Sequence, residues 1–249
     1  MKSSAVIELA GIVKWKTSES KPDSLLIRMM SAVVSRSAGP GRPKDPEKRA
    51  AILDAAKRLF LERSYDGVSM DAIAGEAGVS KLTVYSHFKD KETLFEAAVQ
   101  AKCEEQMPAR LFRPGTPDED IGERLKRIAR SFHGLATSPE SIELFRVMAA
   151  QAQTNPEMAQ RFYEAGPRRT LTEMEAVFRD AMARGQLEME DPQRSAGHFF
   201  CLLKGEMHMR RLIGCCQTID QKECDDHIDS VVRLFLRAYL PRNSADQAG

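Results

Sequence analysis

The chain lacks most of what an enzyme would need. It holds no H-E-x-x-H, no nucleophile elbow and no glycine-rich phosphate loop, so the usual signatures of metal hydrolysis, acyl transfer and nucleotide binding are missing. Its five histidines, at 87, 133, 198, 208 and 227, are scattered. Ser131 and His133 are two residues apart and do not share a helix face. Five cysteines, at 103, 201, 215, 216 and 224, form no C-x-x-C pair. An odd set without a secretory signal points to free thiols in a reducing cytoplasm. No apolar run approaches the roughly 18 residues that span a bilayer; Ala5 to Val13 is short and broken by Glu8. Charge of one sign is missing too, with 37 basic residues against 36 acidic. That balance argues against a coating protein driven by charge. The expectation is a non-enzyme without metal, cofactor or membrane association.

What is present begins with residues 69–95, SMDAIAGEAGVSKLTVYSHFKDKETLF. Ser69 can cap a short helix from about Asp71 to Ala77, and Ser80 a second running through roughly His87. Gly78 between them supplies the φ > 0 that a sharp turn needs. Ile73, Ala74, Ala77, Val79, Val84 and Phe88 fall where two crossed helices must touch, and Ala74 is small where they approach closest. A preceding helix over 46–63 carries Ile52, Leu53, Ala56, Leu59 and Phe60 at helical spacing and would cover the unit. These features describe a three-helix helix-turn-helix. Around it charge is uneven: from Arg36 to Phe60, seven basic residues face three acidic ones, a modest footprint for nucleic acid.

The run AILDAAKRLFLERSYDGVSMDAIAGEAGVSKLTVYSHFKDKETLF resembles the N-terminal domain of the tetracycline-repressor (TetR/AcrR) family of bacterial transcription regulators. Its characteristic S-K-x-T-x-Y-x-x-F and K-E-x-L stand here as Ser80 to Phe88 and Lys91 to Leu94. RFYEAGPRR and LLKGEMHMRRLIG resemble the AefR-like branch. Leu82 departs from the glycine or alanine frequent in the family, which bears on base preference. The resemblance implies that the second helix enters the major groove of a palindromic operator. Lys81 and Thr83 would then reach bases or phosphates, Leu82 a thymine methyl, and Tyr85, His87 and Lys89 phosphates. Ser69, Ser80 and their helix starts would offer backbone N–H groups. Lys89 and Lys91 also read as solvated or locally paired charges, and Tyr85 as packing. In the arm Gly39-Pro-Gly-Arg-Pro-Lys44, Arg42 suits a narrow minor groove, or the arm is a plain linker.

The remaining chain reads as helix. Prolines follow good caps at Asp45-Pro46, Thr116-Pro117, Ser138-Pro139, Asn155-Pro156 and Asp191-Pro192, with Gly166-Pro167 a further candidate. They mark helices near 90–107, 117–136, 139–152, 156–165, 167–184, 192–213 and 219–240, with Gly185 and Gly214 at C-terminal caps. The fold class is all-α: a helix-turn-helix domain over 39–95 and an effector-binding and dimerisation bundle over 96–240. Residues 1–38 are expected to be disordered or over-annotated, with the natural start at Met29 or Met30, and 241–249 to be a disordered tail. Phe132, Phe145, Met148, Phe162, Met174 and Phe178 are candidates for an effector cavity, against the plainer reading of core. Phe199, Leu203, Met207, Val231, Leu234 and Phe235 are candidates for a homodimer interface, because the last helix is apolar over more than one stripe. The partners expected are double-stranded DNA, a small-molecule effector and a second copy of the chain. One alternative is a thiol- or metal-responsive regulator using Cys215, Cys216 and Cys224, with His227 nearby. Another is an α-helical ligand-binding enzyme on the same fold.

Overall fold

Side-chain caps and buried apolar stripes account for the architecture. The computed structural model describes residues 45–63, 65–116 and 118–241, and all regular structure within them is helical. α1 (Pro46–Arg63), α2 (Met70–Glu76), α3 (Lys81–His87) and α4 (Lys91–Gln106) come first, followed by a 3-10 turn at Ala109–Leu111. α5 (Ile121–Thr137), α6 (Pro139–Gln151) and α7 (Pro156–Tyr163) lead through a π turn, Glu164–Arg168, into α8 (Arg169–Ala183). α9 (Pro192–Leu212) and α10 (Gln221–Tyr239) close the chain. The expectations for residues 1–38, for Arg42 and for residues 242–249 fall outside the described residues.

Asp, Ser and Asn side chains accept a backbone N–H at the starts of α2 to α7, α9 and α10. Each such cap is worth about 1 kcal/mol. Gly185 and Gly214 have φ of 70° and 83° at the ends of α8 and α9, as expected of C-terminal caps. Two helix starts differ from the sequence reading. α5 begins at Ile121 on an Asp120 cap, not near residue 117, and Pro117 lies outside the described residues. Pro167 does not open a helix: it sits inside the π turn that joins α7 to α8 without a break. The wider turn tolerates its missing N–H, and the Gly166 carbonyl accepts from the Thr170 hydroxyl at 3.1 Å.

Two apolar cores result. One joins α5, α8, α9 and α10 through Leu125, Ile128, Met174, Phe178, Phe199, Leu203, Val232 and Phe235. The other holds the first four helices together through Ile52, Phe60, Ile73, Val84, Phe88 and Phe95, and also includes Met148, Met158 and Ala165. α4 belongs to this second core and packs on α5 as well. The division expected at 95/96 falls inside α4.

Candidate nucleic-acid interface and apolar chamber

The helix-turn-helix is built by local hydrogen bonding. Ser69 accepts from Ala72 N–H at 3.1 Å, and Ser80 from Thr83 N–H at 3.2 Å. After α2, Gly78 N–H bonds to the Gly75 carbonyl and Val79 N–H to the Ala74 carbonyl, closing a Schellman turn. Gly78 holds φ 65°, where a side chain would be strained. Ile73, Ala74, Val84 and Phe88 are buried where α2 and α3 cross.

One face of α3 is left to solvent. Leu82 is 82% exposed and Tyr85 44%, beside exposed Lys81 and Lys89. Thr83 and His87 are half-buried, and Thr83 shares a hydroxyl hydrogen bond with Ser80 at 2.8 Å. Lys81 meets Asp71 of α2 at 2.8 Å. Lys91 has a different part. Its ammonium donates to the carbonyls of Tyr65 and Val68 at 3.0 and 3.1 Å and lies 4.1 Å over the Tyr65 ring. It therefore pins the loop before α2 to the start of α4 and is not presented to a partner. Burial and the Glu92 carboxylate push the Tyr65 phenol above the ordinary tyrosine range.

A second concave feature lies among α4, α5, α6, the π turn and α9. It encloses about 210 Å³ and is walled mainly by apolar side chains. Of the six cavity candidates, Phe132, Phe145 and Phe162 line it; Phe132 stacks on Phe200 at 4.2 Å and Phe145 meets Phe162 edge-on at 5.4 Å. Met148, Met174 and Phe178 do not border it. Met148 is buried in the core of the first four helices, and Met174 and Phe178 in the other, where Phe178 stacks on Phe235 at 5.2 Å. Helical spacing places all six on inward faces without telling void from filled core. Lys102, Cys103, Leu171, Phe200 and Lys204 also border the chamber and were missed. For Lys204 a signal existed, a lone cation in the apolar stretch of α9.

The interface candidates divide as well. Phe199, Leu203, Met207, Val231 and Phe235 are buried within the chain itself, so their side chains do not reach its surface. Leu234 is 56% exposed, and Leu202, Met209 and Ile213 accompany it on the surface of α9 and its end. The phase assigned to these helices was therefore the inward one for all but Leu234. α9 is also broken: Gly205 takes φ 51° and ψ −158°. His227 of α10 fills that notch, its Nε2 lying 3.1 and 3.2 Å from the carbonyls of Leu202 and Leu203. Carbonyls only accept, so this nitrogen is the protonated one. A Cβ at position 205 would meet the imidazole at 2.8 Å. His133, 6.1 Å from His227 ring to ring, is buried, and that burial lowers its pKa.

Among the described residues no group of three or more His, Cys, Asp or Glu is placed to hold a metal ion. Burial, with Asp225, Glu223 and Asp220 nearby, pushes the Cys224 thiol up, away from the thiolate form that a reactive cysteine uses. Among the same residues no helix is long and apolar enough to cross a membrane.

An exposed second helix on a three-helix head, followed by a helical bundle, is the architecture of helix-turn-helix regulators. Likeness to known proteins carries this to a family. Residues 52–98 match the bacterial regulatory proteins of the tetR family, and residues 123–241 the C-terminal domain of AefR-like transcriptional repressors. The flavonoid-responsive regulator FrrA is 31% identical with a TM-score of 0.64, over 80% of this chain and 100% of that one. A Mesorhizobium loti protein assigned to the TetR-family regulators is 29% identical with a TM-score of 0.65, over 79% and 98% of the two chains. The transcriptional regulator SrpR of Pseudomonas putida is 27% identical over 163 residues, which are 65% of this chain and 74% of that protein. The chain belongs to the TetR family of transcriptional regulators, in its AefR-like branch.

Proposed function

We propose that the protein is a repressor that binds a palindromic operator as a homodimer and releases it when a small molecule fills the chamber. The observation that carries the DNA-binding part is the exposed face of α3. Leu82, 82% exposed, stands there beside Tyr85 and Lys81, with Lys89 just beyond the helix, so the face that the motif turns to DNA is apolar and basic. Lys81, Leu82 and Thr83 stand at the N-terminal end, which in such motifs faces base edges. Tyr85, His87 and Lys89 follow toward the phosphate backbone, with Ser69 and Ser80 at the helix starts. Arg42 is assigned to the adjacent minor groove. Repression agrees with the description of the AefR-like domain, and an aromatic effector with the name of FrrA.

α4 supplies the route from chamber to DNA. Its Lys91 holds the loop before α2, while Val99, Lys102 and Cys103 further along border the chamber. A ligand that displaces the far half of α4 moves the head with it. Two half-sites roughly 34–36 Å apart tolerate little change in head separation. Moving the dimer from 1:99 to 99:1 in favour of release takes about 5.5 kcal/mol of differential ligand affinity. The dimer surface is assigned to Leu202, Met209, Ile213 and Leu234, which are exposed on the last two helices.

The test is anisotropy titration with DNA from the protein's own upstream intergenic region, beside a scrambled duplex, at two salt concentrations. Specific binding should exceed the scrambled control by at least about 10³. Lys81→Ala with Tyr85→Ala should remove that margin and flatten the salt dependence by about one unit of slope for each phosphate no longer neutralised. A folded double variant that binds the operator as tightly as the parent would defeat the assignment.

A further inference from the structure

Two lysines border the chamber, Lys102 from α4 and Lys204 from α9. Lys102 has its counter-charge in Glu140, 3.6 Å away. Lys204 makes no ion pair among the described residues; its ammonium lies 5.6 Å over the Phe145 ring, which is itself a wall of the chamber. Of the hydroxyls at the chamber, Thr170 donates to the Gly166 carbonyl and Ser141 pairs with Ser138 at 2.9 Å, while Tyr163 stands 42% exposed at its edge. The rest of the wall is aromatic and aliphatic, dominated by the Phe132–Phe200 stack and the Phe145–Phe162 edge contact.

This arrangement discriminates among ligands. A neutral apolar molecule would strip water from one side of Lys204 and return nothing to it. A cation would meet the uncompensated ammonium of Lys204. An apolar body bearing one anionic oxygen group fills the aromatic slot and gives Lys204 the partner it lacks. Resting on the assignment of the chamber as the effector site, the geometry points to a ring-containing organic anion, a carboxylate or phenolate, bound with Lys204 as its counter-ion.

Lys204 also stands next to the break in α9. Gly205 follows it, and His227 holds the Leu202 and Leu203 carbonyls on the other side. A ligand drawn against Lys204 thus pulls on the least regular turn of the helix assigned to the dimer surface. The charge of Lys204 is felt nearby as well. Burial lowers the pKa of His208, the Ala136 carbonyl it faces at 3.0 Å opposes that, and the Lys204 charge lowers it further. An anion on Lys204 cancels that last contribution.

Calorimetry on the full chain with 2-naphthoate and 2-naphthylmethanol, which share a body and differ in charge, tests the inference. The carboxylate should bind about tenfold or more tighter than the alcohol. Lys204→Met should reduce it to the alcohol's level while the alcohol binds as before, which also verifies that the variant is folded. Lys204→Arg should keep the preference. By NMR the His208 pKa should rise with naphthoate and not with the alcohol. Equal affinities, a preference that survives Lys204→Met, or binding of neither probe would overturn the inference. Equal binding with both probes weakening operator affinity would overturn the charge assignment alone and leave the release reading standing. A carboxylate preference abolished in Lys204→Met, with operator affinity unmoved, would support the charge assignment and defeat the release reading.

Discussion

Asp71 and Lys81 stand 2.8 Å apart on the surface assigned to DNA, so the lysine best placed for the major groove is shared with a carboxylate in the free protein. The Asp71 hydrogen bond and charge raise the Lys81 pKa, so the lysine is fully cationic at neutral pH. Exposed pairs of this kind are weak. Asp71→Asn should therefore leave the fold intact, free Lys81 and remove a negative charge from the interface. Operator affinity measured by anisotropy at low salt should rise about two- to fivefold, with the gain shrinking as salt is added. Unchanged or weaker binding would mean that Lys81 does not reach DNA. At this scale much could be read from the chain. Ser69, Gly78 and Ser80 act through atoms within a few residues, so their parts follow from sequence alone. Lys91 could not be read in the same way, because the carbonyls it holds, at Tyr65 and Val68, are brought to it only by tertiary packing.

Arg124 shows what the elements add. It is almost fully buried on α5, yet donates to Asp180 of α8 at 2.8 Å and to the Arg113 carbonyl at 2.6 Å. Burial works to raise the Asp180 pKa, but the Arg124 hydrogen bond and the Arg184 charge outweigh it and hold the carboxyl low. A depressed folded pKa contributes stability that is complete above the ordinary aspartate value of 3.8 and lost as pH falls through the lower folded value. Arg124→Met should cost about 2–3 kcal/mol near neutral pH in urea unfolding, less than a fully buried pair because Asp180 keeps Arg184 at 3.1 Å. The variant should also lose less stability than the parent on acidification below that value; an equal acid slope would show that the pair does not act on folding. Helix existence was legible here from caps and apolar spacing, but helix phase was not. Phe199 and Leu203 read as outward although the bundle encloses them. Periodicity shows that a face is apolar and not which neighbour covers it, and the Gly205 break divides α9 where the sequence reads as continuous helix.

For the whole molecule, the apolar residues left on the surface matter more than those in the cores. Met209 and Leu234 are each more than half exposed, at 54% and 56%, on the two helices assigned to the dimer. Leu234→Glu should leave the protomer folded, since the side chain is outside both cores. It should yield a monomer by light scattering, and operator affinity should fall by at least about tenfold because only one half-site is then held. A dimer that persists with full operator affinity would move the interface elsewhere. A fold class could be drawn from the sequence at this scale, because capped, periodic segments leave few architectures. The chamber could not, since a void is the place where side chains fail to meet. The way the second core is shared has a further consequence. Met148, Met158 and Ala165 sit among the side chains of the first four helices. The reading head therefore cannot be transplanted at a clean seam: a chimera joined within α4 would set a foreign bundle against a surface shaped for these three residues. The inner face of the first four helices and the bundle residues that meet it are thereby constrained to change together.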